Sequence, residues 1–235
     1  MRLRIDRRTL VAAAAAGALA HASPAPAAVN AQARTALGVR GTVEHPRAVG
    51  LTFDDSPHPQ GTGAVLERLA EGRARATFFL VGEQVERRPG LVAEIVAAGH
   101  EVALHGHTHR CHLALLPAQA KEDLRRGAAA LAEVTGRSPR LHRPPFGLYS
   151  AATLRLVRKA GLEPVLWSRH GRDWSRRATP RSIARRLGTN VRPGEVLLLH
   201  DADHYAADGS WRRTVAALPW LLEALERARL EAVPA

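Results

Sequence analysis

Short apolar runs alternate with helix-patterned stretches along most of this chain, and that alternation limits the folds open to it. Runs that read as strands lie at residues 48–53, 76–81, 100–104, 139–142, 163–167 and 195–199, with a short last one near 230–233. Between them the period is helical. Leu124, Ala128 and Leu131 share a face after Pro117, and Val215, Leu218, Leu222 and Leu225 do so near the C-terminus. Gly99 and Gly161 stand where helices end in a left-handed residue. Strands alternating with helices of roughly 10–15 residues specify parallel βα units. About seven such units make an α/β barrel, closed or partly open, in a single domain.

In parallel βα architectures the site forms at the C-terminal strand ends. Polar residues stand at those positions: Asp54-Asp55 after the first run, His105 after the third, Arg143 after the fourth and His200 after the sixth. The fold therefore brings together groups that are far apart in sequence. Adjacent carboxylates point to opposite sides of an extended chain, so Asp54 and Asp55 can take different roles. On a helical turn, His105 and His109 share a face and can hold one cation through their imidazole nitrogens. An extended His-x-His-x-His arrangement, which brings in His107, is the competing geometry. His107 and His112 are expected to stand off the metal, and Cys111 to be a small half-buried residue. A histidine ending a buried strand, as His200 does, suits general acid work because its ordinary pKa of ~6.5 is near working pH. Asp201 is free to pair with a helix end.

The 235 residues are 46% hydrophobic but only 4% aromatic, so the core must be built from Ala, Leu and Val. The net charge is +12, and the only lysines are Lys121 and Lys159. Such basicity fits a polyanionic partner such as a cell-wall polymer. It does not indicate nucleic acid, because no recognition-helix, zinc-finger or aromatic-platform pattern accompanies it. Arg2, Arg4, Arg7 and Arg8 precede an apolar run over residues 10–20, followed by small-residue cleavage sites. This is the layout of a secretory signal, with Arg7-Arg8 suiting twin-arginine export. The run is shorter than the ~20 residues needed to span a bilayer, so no membrane span is expected after processing. The expected organisation is a signal peptide over residues 1–27, a linker over 28–45 and the catalytic domain over 46–235. The location is exported: periplasmic, extracellular or wall-associated.

Leu51-Thr52-Phe53-Asp54-Asp55-Ser56-Pro57, Ala76-Thr77-Phe78-Phe79-Leu80-Val81-Gly82, His105 with His109, Arg143-Pro144-Pro145-Phe146-Gly147, Asp173-Trp174 and Leu198-Leu199-His200-Asp201 occur in that order. In these stretches the chain resembles the polysaccharide deacetylases, the NodB-homology domain of carbohydrate esterase family 4. The resemblance implies a distorted (β/α)7 barrel, TIM-barrel-like, and one divalent metal, usually zinc. It implies Asp55, His105 and His109 as metal ligands, Asp54 as general base, Arg143 as the residue orienting that base and His200 as general acid. The Phe146 backbone N–H is implied as an oxyanion donor, and Leu198 and Trp174 as walls of the acetyl pocket. Asp173 is expected beside them among the substrate-binding residues.

Two positions depart from the family pattern. Gly106 stands where a Ser or Thr commonly follows the first metal histidine. His170 stands where many relatives are expected to carry an Asp that supports the catalytic histidine, a role Asp173 can take over. The expected activity is removal of acetyl groups from an N-acetylated polysaccharide: peptidoglycan, chitin-like oligomers or poly-N-acetylglucosamine. The alternatives are an O-acetyl xylan esterase of the same fold and a non-catalytic carbohydrate-binding relative.

Overall fold

The computed structural model describes residues 30–235; the expected signal peptide lies outside them. Helix α1 (Ala31–Ala36) leads to the central strand β1 (Ala48–Ser56), which is followed by α2 (Gly61–Glu71), β2 (Thr77–Leu80), α3 (Gly82–Arg87), α4 (Pro89–Ala97) and β3 (Glu101–Leu104). Next come α5 (Pro117–Thr135), β4 (Leu141–His142), α6 (Ala151–Lys159), β5 (Glu163–Pro164) and β6 (Arg169–His170). The chain closes with α7 (Pro180–Gly188), β7 (Val196–His200), α8 (Ser210–Arg227) and β8 (Glu231–Val233). The strands are parallel in the order β5-β4-β3-β2-β1-β7-β6, with β8 pairing the first residues of β1. This is a single α/β domain, a distorted (β/α)7 barrel. All expected strands are present. β6 was not foreseen, because Arg169-His170 carries no apolar signal; its pairing with Leu197 and Leu198 makes it a strand.

β1 is buried at all nine positions because β2 and β7 flank it on either side. Its side chains alternate between two environments. Val49, Leu51 and Phe53 join the large core under the helices, where Phe53 stacks on Phe78 at 5.1 Å. Thr52 and Asp54 face the barrel interior, where Arg143 bonds to both. That interior is narrow and is lined by Phe79, Ala103, Leu141 and Val165. The helical faces read from the sequence bury Leu124, Leu131, Leu218 and Leu225, and Gly99 and Gly161 do take positive φ.

No ladder joins β5 to β6 among the described residues. The segment before β1 crosses this gap instead: Arg40 bridges Val165 in parallel and Thr42 bridges Glu195 antiparallel. Val39 is buried there, and the Arg40 guanidinium pairs with Glu163 at 2.5 Å. Part of the stretch expected as a linker forms α1 and a strap. The cause is non-local: β5 and β7 offer free backbone groups that need partners. Removing residues 30–45 should therefore lower stability by about 2–4 kcal/mol, from a lost buried side chain and several lost hydrogen bonds. A urea midpoint unchanged by this truncation would show that the strap carries no stability.

Candidate active site

Asp54, Asp55, His105 and His200 stand at strand ends on one face of the barrel, and they line one cavity of about 270 Å³ together with His109, Trp174, Leu198 and Phe146, which lies in the turn after β4. A bulge in the β1–β2 register falls between Asp54 and Ser56. Asp55, at the bulge, has φ 73. This left-handed backbone costs energy for a non-glycine residue and turns the Asp55 side chain away from the alternation of the strand. Asp55 Oδ1 lies 3.5 Å from His105 Nε2 and 3.2 Å from His109 Nε2. That oxygen is buried and has no hydrogen-bond donor. Burial alone would raise the Asp55 pKa, but His105, His109 and the charge of His200 hold it well below the usual carboxylate range.

The histidine pair does not sit on a helical turn, nor on an extended strand. Residues 105–109 form a bent loop in which Gly106 has φ +81. His105 Nδ1 lies 2.8 Å from the Arg143 carbonyl, which can only accept, so Nδ1 carries the proton and Nε2 faces the cavity with its lone pair. His107 turns away toward Glu86, 3.9 Å off, and His112 stacks on His142 at 5.5 Å. Neither joins the Asp55–His105–His109 cluster, nor does Cys111.

Asp123 on α5 holds this loop. Its carboxylate accepts from His107 N at 2.8 Å, Thr108 N at 3.0 Å and Thr108 Oγ1 at 2.6 Å. A side chain at position 106 would meet Asp123 Oδ2 at 2.9 Å, so Gly106 leaves the space that Asp123 fills. The departure at Gly106 is therefore matched by an acceptor from another element. Sequence reasoning missed Asp123 because its role depends on a helix packing against the loop.

Arg143 is fully buried inside the barrel. It donates to Asp54 Oδ1 at 2.6 Å, to Thr52 Oγ1 at 2.9 Å and to the Val165 and Leu166 carbonyls at 3.4 and 3.3 Å. Its guanidinium lies 3.9 Å from the Phe79 ring centroid. These contacts leave Asp54 Oδ2 facing the cavity, 3.8 Å from His105 Nε2. Across the cavity, His200 Nδ1 lies 3.1 Å from Asp173 Oδ1, while Asp173 Oδ2 accepts from His200 N at 2.7 Å and Thr214 Oγ1 at 2.9 Å. Burial would lower the His200 pKa, but Asp173, then Asp55 and Asp54, push it up to about 10. Asp173 is fully buried and faces His200 rather than the cavity, which corrects its expected place among the substrate-binding residues. Asp173 stands beside His200 where the family pattern expects an Asp at position 170, and the His170 ring packs on Trp174 at 5.2 Å.

The cavity wall includes residues that were not foreseen: Gly147, Trp167, Tyr205 and Ala206. Tyr205 stacks on His109 with ring centroids 4.0 Å apart, and its hydroxyl donates to Glu83 Oε1 at 2.8 Å. Phe146 meets His109 edge-on at 4.7 Å. Gly147 has φ +69, and a Cβ there would lie 2.4 Å from Trp167, so only glycine allows the tryptophan to close this side. Asp201 pairs with a helix end, as its position suggested: it accepts from Thr62 Oγ1 at 2.5 Å and from Ser56 Oγ at 2.6 Å.

Replacing Asp123 leaves three donors of the loop unpaired. Asp123→Ala should weaken divalent-cation affinity about 10- to 100-fold, the range typical of residues that orient ligands. Asp123→Asn should retain part of it. Titration with a competing chelator measures both, and equal affinities in all three proteins would remove Asp123 from this role.

The family described as "Polysaccharide deacetylase" matches residues 42–165. Over 205 residues the chain is 38% identical to a chitooligosaccharide deacetylase from Bradyrhizobium sp. (strain ANU 289), covering 83% of this chain and 91% of that one. It is 34% identical over 183 residues to a peptidoglycan-N-acetylglucosamine deacetylase from Bacillus cereus, covering 77% and 83%. A family 4 carbohydrate esterase from Streptomyces lividans, solved with acetate, is similar in structure with a TM-score of 0.72 and 33% identity, over 79% of this chain and 91% of that one. On sequence and fold together, the chain belongs to the polysaccharide deacetylase family.

Proposed function

We propose that the protein is an exported, metal-dependent hydrolase that removes acetyl groups from an N-acetylated polysaccharide. The observation that carries this reading is the buried, unpartnered Asp55 Oδ1 facing two imidazole nitrogens, with an acid–base pair on either side. Two imidazoles and one carboxylate, with room for water, suit zinc. Asp55, His105 and His109 would hold the ion. When bound, a divalent cation supplies Lewis acidity and lowers the pKa of water.

The chain's own groups do the rest. Asp54, oriented by Arg143, accepts a proton from the attacking water through its free oxygen. The Phe146 backbone N–H donates to the oxygen of the acetyl carbonyl as negative charge develops there. His200 enters protonated and gives its proton to the departing nitrogen, which leaves poorly as an anion. Leu198 and Trp174 form an apolar wall that admits a methyl group and excludes bulk water. The relatives named for chitooligosaccharide and peptidoglycan substrates support a glycan carrying N-acetylglucosamine.

Asp54→Asn and His200→Ala should each lower kcat by ~10²–10⁴-fold while metal content stays near normal. His105→Ala should instead remove most of the metal, and His107→Ala should not. Activity in the wild type should fall on the alkaline side as His200 loses its proton. The carboxylates push the His200 pKa up to about 10, and a bound dication would lower it. Loss of His200 should abolish the alkaline limb. Acetate release from N- and O-acetylated glycans, with and without chelator, tests the reading as a whole, and activity indifferent to chelation would sink it.

The basic start and the apolar run over residues 10–20 support export. No helix among the described residues is long and apolar enough to cross a membrane. Terminal sequencing of protein recovered outside the cytoplasm should place the mature N-terminus between Ser23 and Asn30; an intact Met1 there would refute processing.

A further inference from the structure

Eight arginines crowd residues 169–192. Arg169 serves the fold: its guanidinium lies 3.1 Å from Glu195 and donates to the carbonyls of Arg186 at 3.1 Å and Thr189 at 2.7 Å. Arg172, Arg177 and Arg186 are exposed, and their side chains make no hydrogen bond or ion pair among the described residues. These three converge on one cavity of about 290 Å³, whose wall holds no carboxylate. Ser175 lines it too. Its Oγ accepts from Arg177 N at 3.3 Å, which leaves its O–H free to donate. The hydroxyl of Ser182, also in the wall, is already spent on Thr179 O at 2.9 Å.

The cavity adjoins the catalytic cleft. Gly171 and Arg172, in its wall, immediately precede Asp173 and Trp174. Asp173 bonds to His200, and Trp174 meets His200 edge-on at 5.4 Å. Trp174 lines the cleft, and its chain neighbours Arg172 and Ser175 line the arginine cavity. His170, packed on the Trp174 indole, feels the arginines: burial lowers its pKa most, and the charges of Arg172 and Arg186 lower it further. Three guanidinium groups around one space repel each other unless an anion occupies it, and each presents a planar fork of donors matched to an oxyanion.

We propose that this cavity binds an oxyanion, carboxylate or phosphate, carried by the acetylated glycan at a position flanking the acetyl group in the cleft. The assignment rests on the deacetylase reading only for what carries the anion. It makes the preferred substrate an anionic acetylated polymer rather than a neutral chitin-like one. It also gives part of the chain's +12 charge a defined function.

Three oligosaccharide probes test this: neutral N-acetylglucosamine oligomers, the same backbone bearing lactyl carboxylates, and a phosphate-substituted form. Calorimetry measures their binding directly, without turnover. The wild type should bind at least one anionic probe about tenfold more tightly than the neutral one, the size that three exposed charge pairs give together. Added salt should erode the preference. The triple variant Arg172→Gln/Arg177→Gln/Arg186→Gln should lose it, whereas Arg155→Gln, an exposed arginine on α6, should keep it. Whichever anionic probe shows the gain identifies the source of the anion. Equal affinity for all three probes in the wild type overturns the proposal, as does a preference that survives the triple variant or is lost equally in Arg155→Gln. If no probe releases acetate but the arginine-dependent preference holds, the deacetylase reading has failed and the anion site stands.

Discussion

The buried ion pair between Arg143 and Asp54 is the contact on which the site depends. A guanidinium loses several kcal/mol of hydration when it enters a barrel interior, so it persists there only with its donors satisfied. Asp54, Thr52 and the carbonyls of Val165 and Leu166 satisfy them, and Phe79 offers its ring face. The pair ties β1 to the chain beyond β5, across the part of the barrel where strand pairing is weakest. The same residue acts again through its backbone, since the Arg143 carbonyl selects the tautomer of His105. One side chain and one carbonyl thus orient both a carboxylate and an imidazole.

Around this pair the charges are segregated. Asp54 is neutralised by a permanent cation, and Asp173 by a histidine that it keeps protonated. Asp55 alone keeps a buried oxygen without a donor. Three carboxylates in one cleft would ordinarily repel one another and raise each other's pKa values. Here Asp54 faces Arg143 and Asp173 faces His200, and among the described residues a vacancy for positive charge lies among Asp55, His105 and His109. The second clustering of possible ligands, His58, Asp203 and His204, works differently. His58 Nδ1 accepts from Gly61 N at 2.8 Å, so its Nε2 carries the proton and donates to Asp203 at 3.1 Å. That nitrogen is committed to fastening a loop to the start of α2.

The walls of the cleft come from loops with little in common in sequence. Tyr205 packs flat on His109 and Trp167 occupies the space above Gly147. Aromatic residues are scarce in this chain, yet several of them are spent here. Rings bury large area with few rotatable bonds, which suits a rigid pocket for a small acetyl group. Next to Trp174 in the chain, Arg172 and Ser175 line a separate, arginine-rich cavity.

Much of this was legible in the chain because it is written locally. Apolar runs marked the longer strands, and the polar residues that follow them were correctly expected to converge, since parallel βα units leave their strand ends on one side. The family resemblance pointed to the residues that line the cavity. Other features are decided only by what packs against what. β6 exists because β7 offers it a partner, and the segment around Arg40 and Thr42 is ordered because two strands leave a gap. Asp123, Tyr205 and Trp167 look like ordinary helix and loop residues until the fold brings them to the site. Asp173 could be placed near the chemistry, but its burial behind His200 could not be read from its neighbours in sequence. Residue type and spacing are properties of a segment, and so the sequence by itself determined the barrel class and the chemical parts available to it. Burial, tautomer and the partner of each charge depend on elements tens of residues away, and only the tertiary structure decided them.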